Sequence, residues 1–123
     1  MFVLRQRHLD ALARVAWESF EDRMADMLRQ RFAEQCDELG EEVLRQRIAD
    51  GIDRAERYDI TAERDVATFL RYMFGLRPDF DTARETSYAG KILREKDVPA
   101  SERLARIKTA AREQRTKARE EQA

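Results

Sequence analysis

His8 and Cys36 are the chain's one histidine and one cysteine, and they carry its most obvious acid–base and nucleophilic chemistry. A Cys–His pair would need both side chains at one point. On a continuous helix they would stand roughly 40 Å apart at 1.5 Å per residue, so the pair requires a helix break or a dimer. His8 lies beside Arg5 and Arg7 with no orienting partner in reach of sequence reasoning, and reads as an exposed surface histidine. Cys36 stands near a helix end and reads as a buried structural thiol. A zinc site needs three or four ligands, and one histidine with one cysteine falls short. The expectation is no catalytic residue, no metal, no cofactor and no enzymatic activity.

The acidic and basic groups lead to the same place. Asp79-Phe80-Asp81 resembles the start of a calcium loop, but no glycine stands at the sixth position and no glutamate at the twelfth. Glu41 and Glu42 are adjacent, so on a helix they point in different directions. They read as charges at a helix start, where the dipole favours them. No glycine-rich phosphate loop is present. Arg103, Arg106, Lys108, Arg112, Arg115, Lys117 and Arg119 could follow a nucleic-acid backbone. Glu102, Glu113, Glu120 and Glu121 interleave with them and no aromatic is available for stacking, so the segment reads as a solvated helix.

The chain has 123 residues, within the range of one small domain. Apolar residues make up 42% and charged residues 40%, the balance of amphipathic helices with charged outer faces. Four glycines and two prolines are too few for a sheet rich in tight turns. The net charge of −1 gives no global field toward nucleic acid or an anionic membrane. Residues 101–123 carry seven basic and four acidic groups, so the last helix is mildly basic. A lone cysteine suits a reducing compartment. No apolar run approaches the ~20 residues of a membrane span, and MFVLRQRHLD lacks a signal-peptide core. The expected location is the cytoplasm.

These side chains must be positioned by helices. The fold expected is all-α, a small bundle of about five helices with a long first helix and a C-terminal helix that frays in isolation. Phe2-Val3-Leu4 reads as an extended lead-in. The first helix is expected from about Gln6 to about Gln35, with Leu9, Leu12, Ala16, Phe20, Met24, Met27, Leu28 and Phe32 on one face and Trp17 at its edge. Leu39-Gly40 closes it or opens the next, which runs from about Glu41 to about Arg57. Glu41/Arg45, Asp50/Arg54 and Asp53/Arg57 are acid-before-base pairs at i, i+4. Gly51 marks a close approach of a neighbouring helix.

Thr61 is placed to cap a third helix of about Ala62–Phe74, with Glu63 and Asp65 in its first turn. Val66, Phe69, Leu70 and Met73 give that helix one buried face. Gly75 stands where a left-handed terminating residue belongs, and Pro78 blocks continuation. Asp81 is placed to cap a short turn. A fourth helix is expected from Ser87 to about Lys96, and a fifth after Pro99 with a thin stripe of Leu104, Ile107 and Ala111. Beyond Ile107 there is no large apolar residue. The domain reading is one helical domain over 1–111 and a charged tail or helix extension over 112–123. If any large side chains anchor a partner, the candidates are Trp17, Tyr58, Phe80, Tyr88, Leu104 and Ile107.

The stretch GIDRAERYDITAERDVATFL…FGLRPDFD, with AGKIL after it, resembles small helical accessory proteins of bacterial type VI secretion effector clusters. The matching positions are Ala55, Tyr58, Ile60, Glu63, Asp65, Val66, Gly75, Phe80, Asp81, Ile92 and Leu93. FAEQCDELG is similar as well, so the resemblance spans about residues 20–95. Asp59 stands where the pattern has glycine, and Tyr88 near where it has tryptophan. The resemblance implies a cytoplasmic co-chaperone whose partners are an effector toxin and/or a DUF4123-type adaptor protein. It implies no catalytic residue and leaves homo-oligomers open. The alternative is an immunity protein that binds and inhibits a cognate toxin. Many such blockers are strongly acidic, whereas this chain is near neutral.

Overall fold

The computed structural model describes residues 11–122, which are all-helical apart from turns. His8 and the Phe2-Val3-Leu4 lead-in lie outside the described residues. The helices are α1 (Ala11–Arg31), α2 (Ala33–Arg57), α3 (Glu63–Gly75), α4 (Ser87–Leu93) and α5 (Ala100–Gln122), with a 3₁₀ turn at Arg84–Thr86. The chain divides into two compact units between Pro78 and Asp79, a boundary that composition and periodicity do not draw.

In the first unit α1, α2 and α3 pack on one another. Phe20, Met24 and Leu28 are buried as their spacing predicts, and Trp17 joins them at 6% exposure instead of lying at the edge. Residues 17, 20, 24 and 28 are one helical face, so the stripe is centred on Trp17 and Phe20. Leu44, Ile48, Ile52 and Ala55 are buried from α2, and Val66, Phe69, Leu70, Met73 and Phe74 from α3.

The expected long first helix breaks at Phe32, whose backbone leaves helical geometry (φ −132°, ψ 51°). The hydrogen bonds on either side persist, from Phe32 N–H to Leu28 and from Cys36 N–H to Phe32. The Phe32 ring lies 5.7 Å from that of Phe74, a contact between helices that the helical period alone does not encode. A second break falls inside α2 at Gly40 (φ 80°, ψ 167°), a conformation open essentially to glycine.

Two terminators differ from expectation. Gly75 is the last residue of α3 and not a left-handed one; Leu76 follows in right-handed helical geometry. Thr61 does not cap α3. Ala62 holds the N-cap position and no side chain bonds the free N–H groups there, although Glu63 and Asp65 do occupy the first turn. The left-handed residue is Asp59 (φ 60°), after α2. Asp59 N–H donates to Glu56 and Ile60 N–H to Ala55, both at 2.9–3.0 Å, which is the Schellman arrangement. Ile60 and Ala55, the two ends of the wider bond, are both fully buried.

In the second unit α4 and α5 pack together. α4 ends at Leu93, shorter than expected, and its last carbonyls are bonded by turn N–H groups and by Arg103. Pro99 precedes α5 and its carbonyl accepts the Arg103 N–H at 3.0 Å. Leu104, Ile107 and Ala111 are buried, and every described side chain from Arg112 onward is exposed, yet the helix continues to Gln122.

Candidate functional site

The first unit holds a cleft of about 160 Å³ lined by Gln35, Glu38, Leu39, Arg47, Met73, Phe74 and Pro78. Its floor is apolar because the stripe of α3 ends there with Met73 and Phe74. Its polar rim comes from the short part of α2 before Gly40 and from Arg47 after it. Gln35 Nε2 donates to the Phe74 carbonyl at 3.1 Å. That oxygen belongs to the last turn of α3, where the helix itself offers no donor. The space suits one side chain and is far below the ~300 Å³ at which small-molecule sites begin.

Cys36 lies in the same stretch of α2 and is 5% exposed. Burial pushes its thiol above the ordinary value; Arg29 opposes the shift and Asp37 adds to it. A thiol held protonated is a poor nucleophile. Among the described residues no group of three His, Cys, Asp or Glu side chains converges to hold a metal ion.

The charged groups form lattices instead. Arg45 Nη1 reaches Asp22 at 2.6 Å and Glu21 at 3.3 Å on α1, and Arg45 Nε reaches Glu41 at 3.0 Å. Glu41 also pairs with Arg29, which meets Asp26 at 3.5 Å. Burial works against the Arg45 charge, but the bonds and charges of Asp22 and Glu21 outweigh it and raise its pKa. Glu41 thus opens the part of α2 beyond the Gly40 break and ties it to α1. The other two acid-before-base pairs form as spaced, Asp50–Arg54 at 3.1 Å and Asp53–Arg57 at 3.3 Å.

The row of basic residues in α5 does not form one surface. Arg103 is 3% exposed. Its Nη1 donates to Leu93 at 2.7 Å and its Nε to Val98 at 2.9 Å. Arg106 is engaged by Glu95 at 3.0 Å and Glu102 at 3.2 Å. Lys108, Arg112, Arg115, Lys117 and Arg119 are exposed.

Of the six candidate anchors, Trp17, Phe80, Leu104 and Ile107 are buried and hold their own units together. Tyr58 and Tyr88 are half-buried. Tyr58 stacks obliquely on Phe69 at 6.2 Å. Burial raises the Tyr88 hydroxyl pKa, against a smaller opposing effect of Arg115. The six are therefore not one patch. Sequence reasoning missed the cleft and the Arg45 lattice, because both join residues more than 20 positions apart. The one available signal was Gly40, whose place between two charged helical runs marks a corner.

No known protein family, curated protein or solved structure matches the chain.

Proposed function

We propose that this chain is a non-catalytic interaction protein, a cytoplasmic co-chaperone that helps an adaptor hold or load a type VI secretion effector toxin. The reading rests first on the resemblance over residues 20–95. Its matching positions divide by role. Ala55, Ile60, Val66, Phe80, Asp81 and Leu93 are buried, Tyr58, Glu63, Asp65 and Ile92 are half-buried, and Gly75, the last residue of α3, is exposed. They are the residues that set a helical scaffold, which is what an accessory family would preserve in common.

The observation that carries the reading is the outer half of α5. From Arg112 to Gln122 the chain maintains a helix in which every side chain is exposed. Those residues contribute nothing to the core of their own unit, and a solvated helix of this length is marginal without burial. A partner that receives the helix gives it a use.

The test is co-expression and pull-down with each product encoded beside this gene, using the full chain and a version lacking residues 112–123. Retention of an adaptor or a non-catalytic effector segment, reduced in the shortened chain, is the expected result. The shortened chain should melt with the full one, because its last buried side chain is Ala111. Capture of neither product defeats the reading. Protection of cells from the toxin, without adaptor binding, replaces it with the immunity reading.

A further inference from the structure

Residues 33–39 form two helical turns isolated between two backbone breaks. Phe32 leaves helical geometry on one side and Gly40 on the other. Nothing lies within 4 Å of where a Gly40 side chain would begin, so the space on that side of the glycine is open. Within the segment Ala33, Glu34, Gln35, Asp37 and Glu38 are exposed, Leu39 is half-buried, and only Cys36 is buried. The run after Gly40 buries Leu44, Ile48, Gly51, Ile52 and Ala55. The segment's side-chain hydrogen bond to another helix is Gln35–Phe74. Few buried apolar side chains and a single polar latch are the features of a region that opens well below the free energy of global unfolding.

We propose that Ala33–Leu39 is a hinged flap, turning about Phe32 and Gly40, whose closed position is latched by Gln35 on the Phe74 carbonyl. Opening separates Gln35, Glu38 and Leu39 from Met73, Phe74 and Pro78, so the flap controls access to the cleft. The rest of α2 stays on α1, because Arg45 pairs with Glu21 and Asp22 and Glu41 with Arg29 beyond the hinge. Gly40 tolerates the change of backbone angles that hinging requires, since glycine populates both signs of φ. This inference is independent of the proposed partner.

Cys36 is the chain's sole thiol and sits in the flap, so it reports opening directly. Thiol labelling of the full chain with an aromatic disulfide under native conditions should proceed faster than global unfolding permits. Gln35→Ala should raise the labelling rate roughly two- to tenfold, the effect of one hydrogen bond, with little change in the urea midpoint. Ile52→Val, a mild core change outside the flap, should lower the midpoint and leave the labelling rate unchanged. Labelling that tracks global stability in Ile52→Val, or that ignores Gln35→Ala, overturns the proposal.

Discussion

Arg103 donates from Nη1 to the backbone carbonyl of Leu93 at 2.7 Å, ten residues back along the chain. The guanidinium is buried, and the same side chain bonds Val98 through Nε at 2.9 Å. One residue of α5 thereby closes the end of α4 and fixes the turn between them. A helix C-terminus has carbonyls without donors, and a cation is favoured there.

Arg103→Ala should destabilise the chain by about 2–4 kcal/mol, because one buried carbonyl and one part-buried carbonyl lose a charged donor. Arg103→Lys should recover only part of this, since an ammonium cannot present the planar fork. Thermal melts of both variants provide the measurement. A lysine variant as stable as the parent would mean that charge alone is needed at this position.

Gly51→Ala tests helix packing against helix propensity. Alanine is favoured over glycine in a helix interior by about 0.8–1 kcal/mol. Here its Cβ would stand 2.4 Å from Leu70 Cδ2 and 2.7 Å from Met73 Sδ. Both side chains are themselves buried, so relief requires repacking at a cost of about 1–3 kcal/mol. The expected result is a lower urea midpoint, and a higher one would show that Leu70 and Met73 move freely.

Asp59→Gly should stabilise by about 0.5–1 kcal/mol. Asp59 is exposed and holds φ 60°, where a Cβ is disfavoured and glycine is not. The two Schellman hydrogen bonds are backbone bonds and survive the change. Chemical denaturation of the two proteins side by side decides the matter, and a destabilised glycine variant would point to an unrecognised role for the carboxylate.

Stability should fall on the alkaline side. Burial raises the Cys36 pKa above its ordinary 9.0, so the folded chain keeps a proton that the unfolded chain has released. That contribution is complete below the unfolded thiol's pKa and disappears as pH rises through the folded one. Tyr72 and Tyr88 are raised from 10.0 by burial and act in the same direction at higher pH. Urea midpoints from pH 7 to 10.5 should decline above about pH 8.5, and Cys36→Ala should delay the onset. Superimposable curves for the two proteins would remove the thiol from this account.

Of the fold, the parts legible in the chain are those decided within one or two helical turns. Val66, Phe69, Leu70 and Met73 declare a buried face by spacing, and all four are buried. Glu41–Arg45, Asp50–Arg54 and Asp53–Arg57 pair because residues four apart on a helix are neighbours whatever surrounds them. Gly51 announced a close approach correctly, since a helix interior rarely accepts glycine without a reason.

The candidate site was not legible, and the reason is distance along the chain. The cleft joins Gln35 to Phe74, and the Arg45 lattice joins α2 to Glu21 and Asp22. Gly75 and Thr61 look like a terminator and a cap by type. Gly75 ends α3 without a left-handed turn, the left-handed residue is Asp59 after α2, and α3 starts without a side-chain cap. Arg103 reads as one cation in a basic row, and its burial depends on where the α4–α5 turn delivers the Leu93 and Val98 carbonyls. The sequence by itself determined that the described residues are all-helical, because periodicity is a property of neighbours. Which residues cap, latch and hinge was decided only in the tertiary structure, where groups far apart in sequence meet and polar atoms leaving water must find a partner.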